Sequence, residues 1–515
     1  MIDRRTVLRA GLLAAGGAAL AACGEEKRKP GFISPDDVQV RKLEAARRGT
    51  GGAVRDFQLT PAEGQVDLGG RTVRTWTYGQ RLPGSELRVK AGEVVRARVS
   101  NQLSAGTTVH WHGVALHNDA DGVPGVTQPE IKPGTEYVYE FVAPHPGTYW
   151  FHPHAGTQLD RGLYAPLIVE DPKEPLSYDA EWVVALDDWL DGVTGSPDRV
   201  LVELRRGMGG MGAEGGQSSV PGMDMGSRHE TPSPGPSGMG GHMLMGAENR
   251  LLGGDAGDVR YPYFLVNGRL AKNPETFRAK PGERVRIRFI NAGGDTAFRV
   301  ALGEHRMTVT HTDGLPVRPV ETDALLLGMG ERYDVVVAVK SGVFPLTAVA
   351  EGKNAVARAL LRTSGAASAP AANVRPRELQ RKIIGYGDLR PADAVRLKDR
   401  RPDRTVRLEL TGGMMKYDWA INGRKYDPEN LYPVKSGERV RLAFVNRTSM
   451  WHPMHLHGHT FALVPTGVRK DTAIVLPNST LNVDFDADNP GRWMIHCHNV
   501  YHAESGMMTL LGYAV

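Results

Sequence analysis

The sequence predicts an all-β protein built from three tandem copies of one domain, and three observations carry that expectation. One strand-like unit recurs three times. Lys90-Ala91-Gly92-Glu93 leads into an alternating run ending at Asn101, Lys280-Pro281-Gly282-Glu283 into one ending at Asn291, and Lys435-Ser436-Gly437-Glu438 into one ending at Asn446. Each copy is a glycine turn followed by alternating apolar and polar residues, the period of a half-buried strand. Composition agrees: 62 Gly and 34 Pro in 515 residues suit a turn-rich β chain, and no long helical periodicity competes. Length is the third observation, since ~150 residues per domain leaves room for about three domains, each able to bury its own core.

Charge narrows the function classes. Lys and Arg number 63 against 58 Asp and Glu, a surplus of five, with 23% charged and 41% hydrophobic residues. That is a soluble globular balance, without the basic stripe that nucleic acid would require. A monomer is expected.

The elements follow in chain order. Asp3-Arg4-Arg5-Thr6-Val7-Leu8-Arg9 resembles a twin-arginine export motif, and the apolar run Ala10 to Ala22 is too short to span a membrane. Leu20-Ala21-Ala22-Cys23 resembles a lipoprotein box, with an ordinary cleaved signal as the alternative. Residues 1–22 are therefore expected to be a signal. The mature chain is expected outside the cytoplasm, in the periplasm or on the outer face of the cytoplasmic membrane, with membrane contact through lipid on Cys23. Residues 23–50 are polar and read as a tether. The three domains are expected at 51–175, 176–370 and 371–515. The second carries a Gly-rich, Met-rich insert at 205–255 containing Met208, Met211, Met223, Met225, Met239, Met243 and Met245. Thioethers favour Cu(I), so these are candidate ligands for that ion as a substrate; an inert linker is the alternative.

Four histidine clusters carry the chemistry. They are His110-Trp111-His112, His152-Pro153-His154, His452-Pro453-Met454-His455-Leu456-His457, and His496-Cys497-His498 with His502 close behind. On a strand, residues i and i+2 share a face, so each H-x-H pair aims two imidazoles at one centre while Cys497 points the other way. The chain has two cysteines, Cys23 and Cys497. With Cys23 lipidated, Cys497 is a lone thiol suited to a metal. Two imidazoles, a thiolate and a distant methionine form an electron-transfer copper set. Cys497, His502 and Met507 have that spacing, and His452 can supply the second imidazole. The middle repeat has His305 and His311, which form no pair, and reads as a copper-free spacer.

With these residues, the chain after residue 50 resembles the multicopper oxidases of three-domain, laccase-like type, closest to the actinobacterial copper-resistance members. The resemblance implies three cupredoxin-like Greek-key β-barrels and four copper ions. A blue type 1 copper would take His452, Cys497, His502 and axial Met507, and a type 2 copper His110 and His455. A type 3 pair would take His112, His152, His154, His457, His496 and His498. It further implies that a reductant (Cu(I), Fe(II) or a phenol) is oxidised one electron at a time while O2 becomes two waters. Asp121 matches a proton-relay acid, unless it is a turn carboxylate. Many relatives have Glu directly after the position of His502; here Ala503 intervenes, and Glu504 or other groups with water would serve. Asp471 matches a carboxylate near the blue copper of Cu(I)-oxidising relatives, with a structural salt bridge as the alternative. A copper-sequestering lipoprotein and a copper nitrite reductase are the other function classes. The first leaves the trinuclear histidines unexplained, and the second does not need the six type 3 ligands.

Overall fold

The computed structural model describes residues 31–49, 52–207, 241–363 and 368–515. Strand is the dominant structure, at 45% against 10% helix. The repeated turn has a local cause. In all three copies the glutamate accepts the backbone N–H of the lysine three residues earlier: Glu93 from Lys90 (2.8 Å), Glu283 from Lys280 (2.8 Å) and Glu438 from Lys435 (2.9 Å). The glycine between them sits at φ 88°, 87° and 84°, a left-handed conformation that a side chain would strain.

The strand after each turn then pairs alike in every copy, parallel to an upstream strand and antiparallel to a downstream one. Val94–Ser100 lies between Val54–Leu59 and Glu136–Val142, and Arg284–Asn291 between Ala180–Trp189 and Arg332–Ala338. Arg439–Asn446 lies between Arg404–Thr411 and Thr480–Asp486. A buried asparagine at or just after the end of each strand donates to carbonyls on either side of it in space. Asn101 bonds Ala105 and Ile131, Asn291 bonds Thr296 and Leu327, and Asn446 bonds Met450 and Val475. Each copy adds a second sheet, of four, six and five strands in turn, and one apolar core runs through all three. This is the three-domain β architecture that the resemblance implied.

Three expectations need correction. Residues 31–49 of the expected tether 23–50 are instead packed on the folded body. Ile33 donates its N–H to Tyr513 (2.8 Å), and Val515 donates to Gly31 (2.9 Å), so this strap begins beside the C-terminus. It continues as the helix Val38–Arg48, capped by Asp37, which buries Val40. Glu44 accepts from the Val142 N–H (3.2 Å), and Arg48 pairs with Glu44 (2.9 Å) and with Glu140 (2.5 Å). The charges that made the segment read as solvated have partners on the first domain. Residues 1–30, including the export motif and Cys23, lie outside the described residues, among which no helix is long and apolar enough to cross a membrane.

The insert is also narrower. The helix Pro197–Arg205, capped by Ser196, occupies its first position, and residues from His242 onward belong to the packed middle domain. Met243 is 7% exposed and bridges Val259, with Leu252 fully buried nearby in sequence, so Met243 is a core side chain. His242 is held between Glu203 (2.8 Å) and the Thr194 carbonyl (3.2 Å). Met245 is exposed. Met208, Met211, Met223, Met225 and Met239 lie outside the described residues. Finally, the boundary at 370 falls too early: Ile383–Ile384 pairs with Ala324–Leu327 in a sheet of the middle domain.

Candidate metal centre

Strand register brings the histidine clusters together. His110–His112 pairs with Gly147–His152, placing His110 opposite His152. His452–Leu456 pairs with Arg492–Cys497, placing His455 opposite His496 and Met454 opposite Cys497. The residue between each pair faces away. Trp111 enters the first domain's core against Tyr139, Phe141 and Phe151, while Cys497 turns toward His452 and His502.

Ligand atoms then converge, within 4.8 Å of one another, in sets that mix the first and third domains: His110, His112 and His455; His112, His152 and His498; His154, His457 and His496. Ring nitrogens face each other at 3.1 Å for His457 and His496, 3.2 Å for His112 and His498, and 3.5 Å for His154 and His496. Nε2 of His110, His152 and His455 and Nδ1 of His498 are buried with no hydrogen-bond partner. Four orphaned ring nitrogens in one crowded space fit metal ions. Burial and neighbouring imidazoles push His112, His152, His457, His496 and His498 well below the ordinary histidine value, and His154 to about 3. Neutral rings keep their lone pairs for a metal.

The thiolate group is separate. Sγ of Cys497 lies 3.6 Å from Nδ1 of both His452 and His502, which are 3.1 Å from each other. Met507 is fully buried, and its carbonyl accepts the Cys497 N–H at 3.1 Å. The outer ring nitrogens are tied off: Nε2 of His452 lies 2.8 Å from the Thr448 hydroxyl, and Nε2 of His502 lies 2.9 Å from Asp258. Asp258 also accepts from the Tyr417 hydroxyl at 2.8 Å. Against the cost of burial, Asp258 and Cys497 raise His502 to about 10. Such outer bonds fix the tautomer and aim Nδ1 at the sulfur. Sequence reading missed Asp258, a single aspartate with no spacing signal.

Two carboxylates brace the histidine sets almost symmetrically. Asp121, from the first domain, is 3.1 Å from Nδ1 of His110 and 2.9 Å from Nδ1 of His457. Asp471, from the third, is 3.1 Å from Nε2 of His112, and its carbonyl is 2.9 Å from Nδ1 of His455. The supported rings stack across the domains, His110 on His457 at 3.8 Å and His112 on His455 at 3.9 Å. Asp471 was expected to contact Cu(I) beside the thiolate. It is instead fully buried among the mixed-domain histidines and salt-bridged to Arg332 (2.6 Å), as the salt-bridge alternative would have it. Glu504 lines a cleft of about 30 Å³ with His152, His154, His496 and His498, and burial raises its carboxyl above the usual range.

The comparisons agree with this geometry. Multicopper oxidase domain families match residues 61–174, 247–366 and 399–513. Multicopper oxidase MmcO of Mycobacterium tuberculosis is 46% identical over 99% of this chain and 97% of its own length. A copper resistance protein A homolog of Pseudomonas syringae is 31% identical, covering 88% and 91%. Laccase from Botrytis aclada superposes with a TM-score of 0.71 at 25% identity, covering 90% and 88%.

Proposed function

From the premise that this chain belongs to the multicopper oxidase family, an oxidoreductase family that uses copper and O2, we propose that it is a four-copper oxidase whose preferred reductant is Cu(I). One copper would be held by His452, Cys497, His502 and Met507, and three by the remaining eight histidines. Copper supplies one-electron transfer at the thiolate group and the four-electron reduction of O2 to water at the histidine group.

The observation that carries the reading is the end of the strand Arg492–Cys497, with His498 just beyond it. Cys497 reaches the isolated group while His496 and His498, one peptide bond away on either side, reach the two mixed-domain sets. A covalent path thus joins the donor and acceptor ends. Asp121 and Asp471 orient the histidines from outside, and Trp150 packs against His112, His152 and His498 at 4.5–5.5 Å, keeping that region dry. Glu504, in a cleft that also touches His154 and His496, would hold a proton for the oxygen being reduced.

Support for Cu(I) lies around the thiolate group. Asp255 is partly exposed, bridges Met450 two residues before His452, and is raised by burial to about 6. Met245 and Met415 expose thioethers. Met208, Met211, Met223, Met225 and Met239 follow Gly207, which abuts the Met415 carbonyl two residues before Tyr417, the partner of Asp258. The chain's copper-resistance relatives favour the same reading. Export by the twin-arginine route and lipid on Cys23 complete the proposal, supported by the N-terminal motifs alone. Copper analysis with O2-uptake rates on Cu(I), Fe(II) and a phenol tests it. We expect near four copper ions per chain and the highest rate on Cu(I). Two copper ions per chain or no O2 uptake would sink the oxidase reading.

A further inference from the structure

The middle domain, expected to be a copper-free spacer, reaches the trinuclear histidines through one side chain. Arg332 is fully buried in the strand Arg332–Ala338. Its two terminal nitrogens donate to Asp471 in a fork, Nη1 to Oδ1 at 2.7 Å and Nη2 to Oδ2 at 2.6 Å. Its Nε donates to the Thr148 carbonyl at 3.1 Å, in the first-domain strand that carries His152. One guanidinium therefore joins all three domains.

The surroundings are shaped for that contact. Asp313, also of the middle domain, accepts the Arg332 N–H (2.8 Å) and the N–H groups of Asp471 (3.1 Å) and Thr472 (3.2 Å). Two glycines make room. A Cβ on Gly113, the residue after His112, would collide with Nη2 of Arg332 and lie 2.5 Å from Asp471. A Cβ on Gly330 would lie 2.8 Å from His498 and 3.1 Å from His112. The mirror-image carboxylate differs: among the described residues, Asp121 is paired with His110 and His457 and with no arginine or lysine.

We propose that Arg332 is a positioning residue for the trinuclear centre, locking Asp471 and through it His112 and His455, so that docking of the middle domain sets the geometry of one half of the centre. A planar fork restrains both the position and the plane of a carboxylate, which a single-point cation does not. The inference rests on the four-copper reading for what His112 and His455 hold.

The test uses the full-length, copper-loaded protein and its Arg332→Lys and Arg332→Gln variants. Three readouts are total copper, the visible type 1 band, and the type 2 electron paramagnetic resonance signal before and after timed chelator exposure. We expect an unchanged type 1 band in both variants, a shifted type 2 hyperfine splitting, and chelator extraction of one copper ~10–100-fold faster, the usual cost of losing an outer partner of a metal ligand. Arg332→Lys keeps the charge and tests the fork itself should Arg332→Gln fail to fold; it should show the same shift in smaller measure. Type 2 spectra and extraction rates equal to the parent's in Arg332→Lys overturn the proposal. A parent that lacks a type 2 signal would instead overturn the four-copper reading.

Discussion

At the scale of single residues, Cys497 has the sharpest consequence. A serine hydroxyl there is a hard donor with no thiolate path. Cys497→Ser should abolish the blue band and cut oxidase turnover by more than ~100-fold, beyond what loss of an outer ligand partner costs. The other copper ions should still load, because their eight histidines are untouched; copper analysis and visible spectra check both halves. Asp191 gives a pH test away from the centre. It is 3% exposed, accepts from Thr75 at 2.7 Å, and burial raises it to about 6. Its folded value lies above the unfolded one, so ionising it costs stability. That loss begins near pH 4, is complete above about 6, and reaches at most about 3 kcal/mol. Asp191→Asn escapes it, so the variant's melting temperature should gain on the parent's between pH 4.5 and 7.5. A constant difference across that range would refute the assignment. The ten histidines and Cys497 were readable from sequence because metal chemistry restricts residue type and strand geometry restricts spacing. Asp258, Arg332 and the true surroundings of Asp471 were not, since carboxylates and guanidiniums occur everywhere and their partners lie far away in sequence.

At the scale of elements, the three repeats share one set of hydrogen bonds but differ in what those bonds hold. Asn446 donates to the carbonyl of Met450 (2.7 Å), two residues before His452, and to those of Val475 (3.1 Å), opposite His452, and Leu476 (3.1 Å). Asn291 makes the equivalent bonds in the middle domain, where no copper ligand follows. Either Asn→Ala removes a buried amide donor from these carbonyls, and each lost partner should cost about 1–3 kcal/mol where no other donor replaces it. Both variants should therefore melt earlier. Only Asn446→Ala should also broaden or shift the blue band, since only its loop positions His452; equal spectra in the two variants would show that the loop is held by other means. The strand repeats were legible because their turn chemistry is local. The strap at residues 31–49 was not: Val40 and Glu44 form too short a pattern to announce a helix that exists by docking on a neighbouring domain.

At the scale of the whole molecule, the proposed preference for Cu(I) can be tested on the Met-rich stretch 208–240. Deleting residues 208–240, with Gly207 and Gly241 joined, should lower the Cu(I) rate while sparing or raising phenol turnover. Thioethers favour the soft ion, and a phenol does not need them. The wider deletion suggested by composition alone would remove Met243 and Leu252 from the core and confuse the result with unfolding. Equal Cu(I) and phenol kinetics in the copper-loaded deletion would leave the segment a linker. The exchange of ligands between the first and third domains has a further meaning for how the protein is made. Each histidine set draws on both ends of the chain, and about 390 residues separate His110 from His498. At a synthesis rate of ~5–20 residues per second, the first ligands emerge roughly 20–80 s before the last. A nascent chain therefore holds pieces of sites but no finished one. Copper captured early would sit in incomplete, mispaired sets, so fidelity of metallation depends on metal arriving after the chain ends have met.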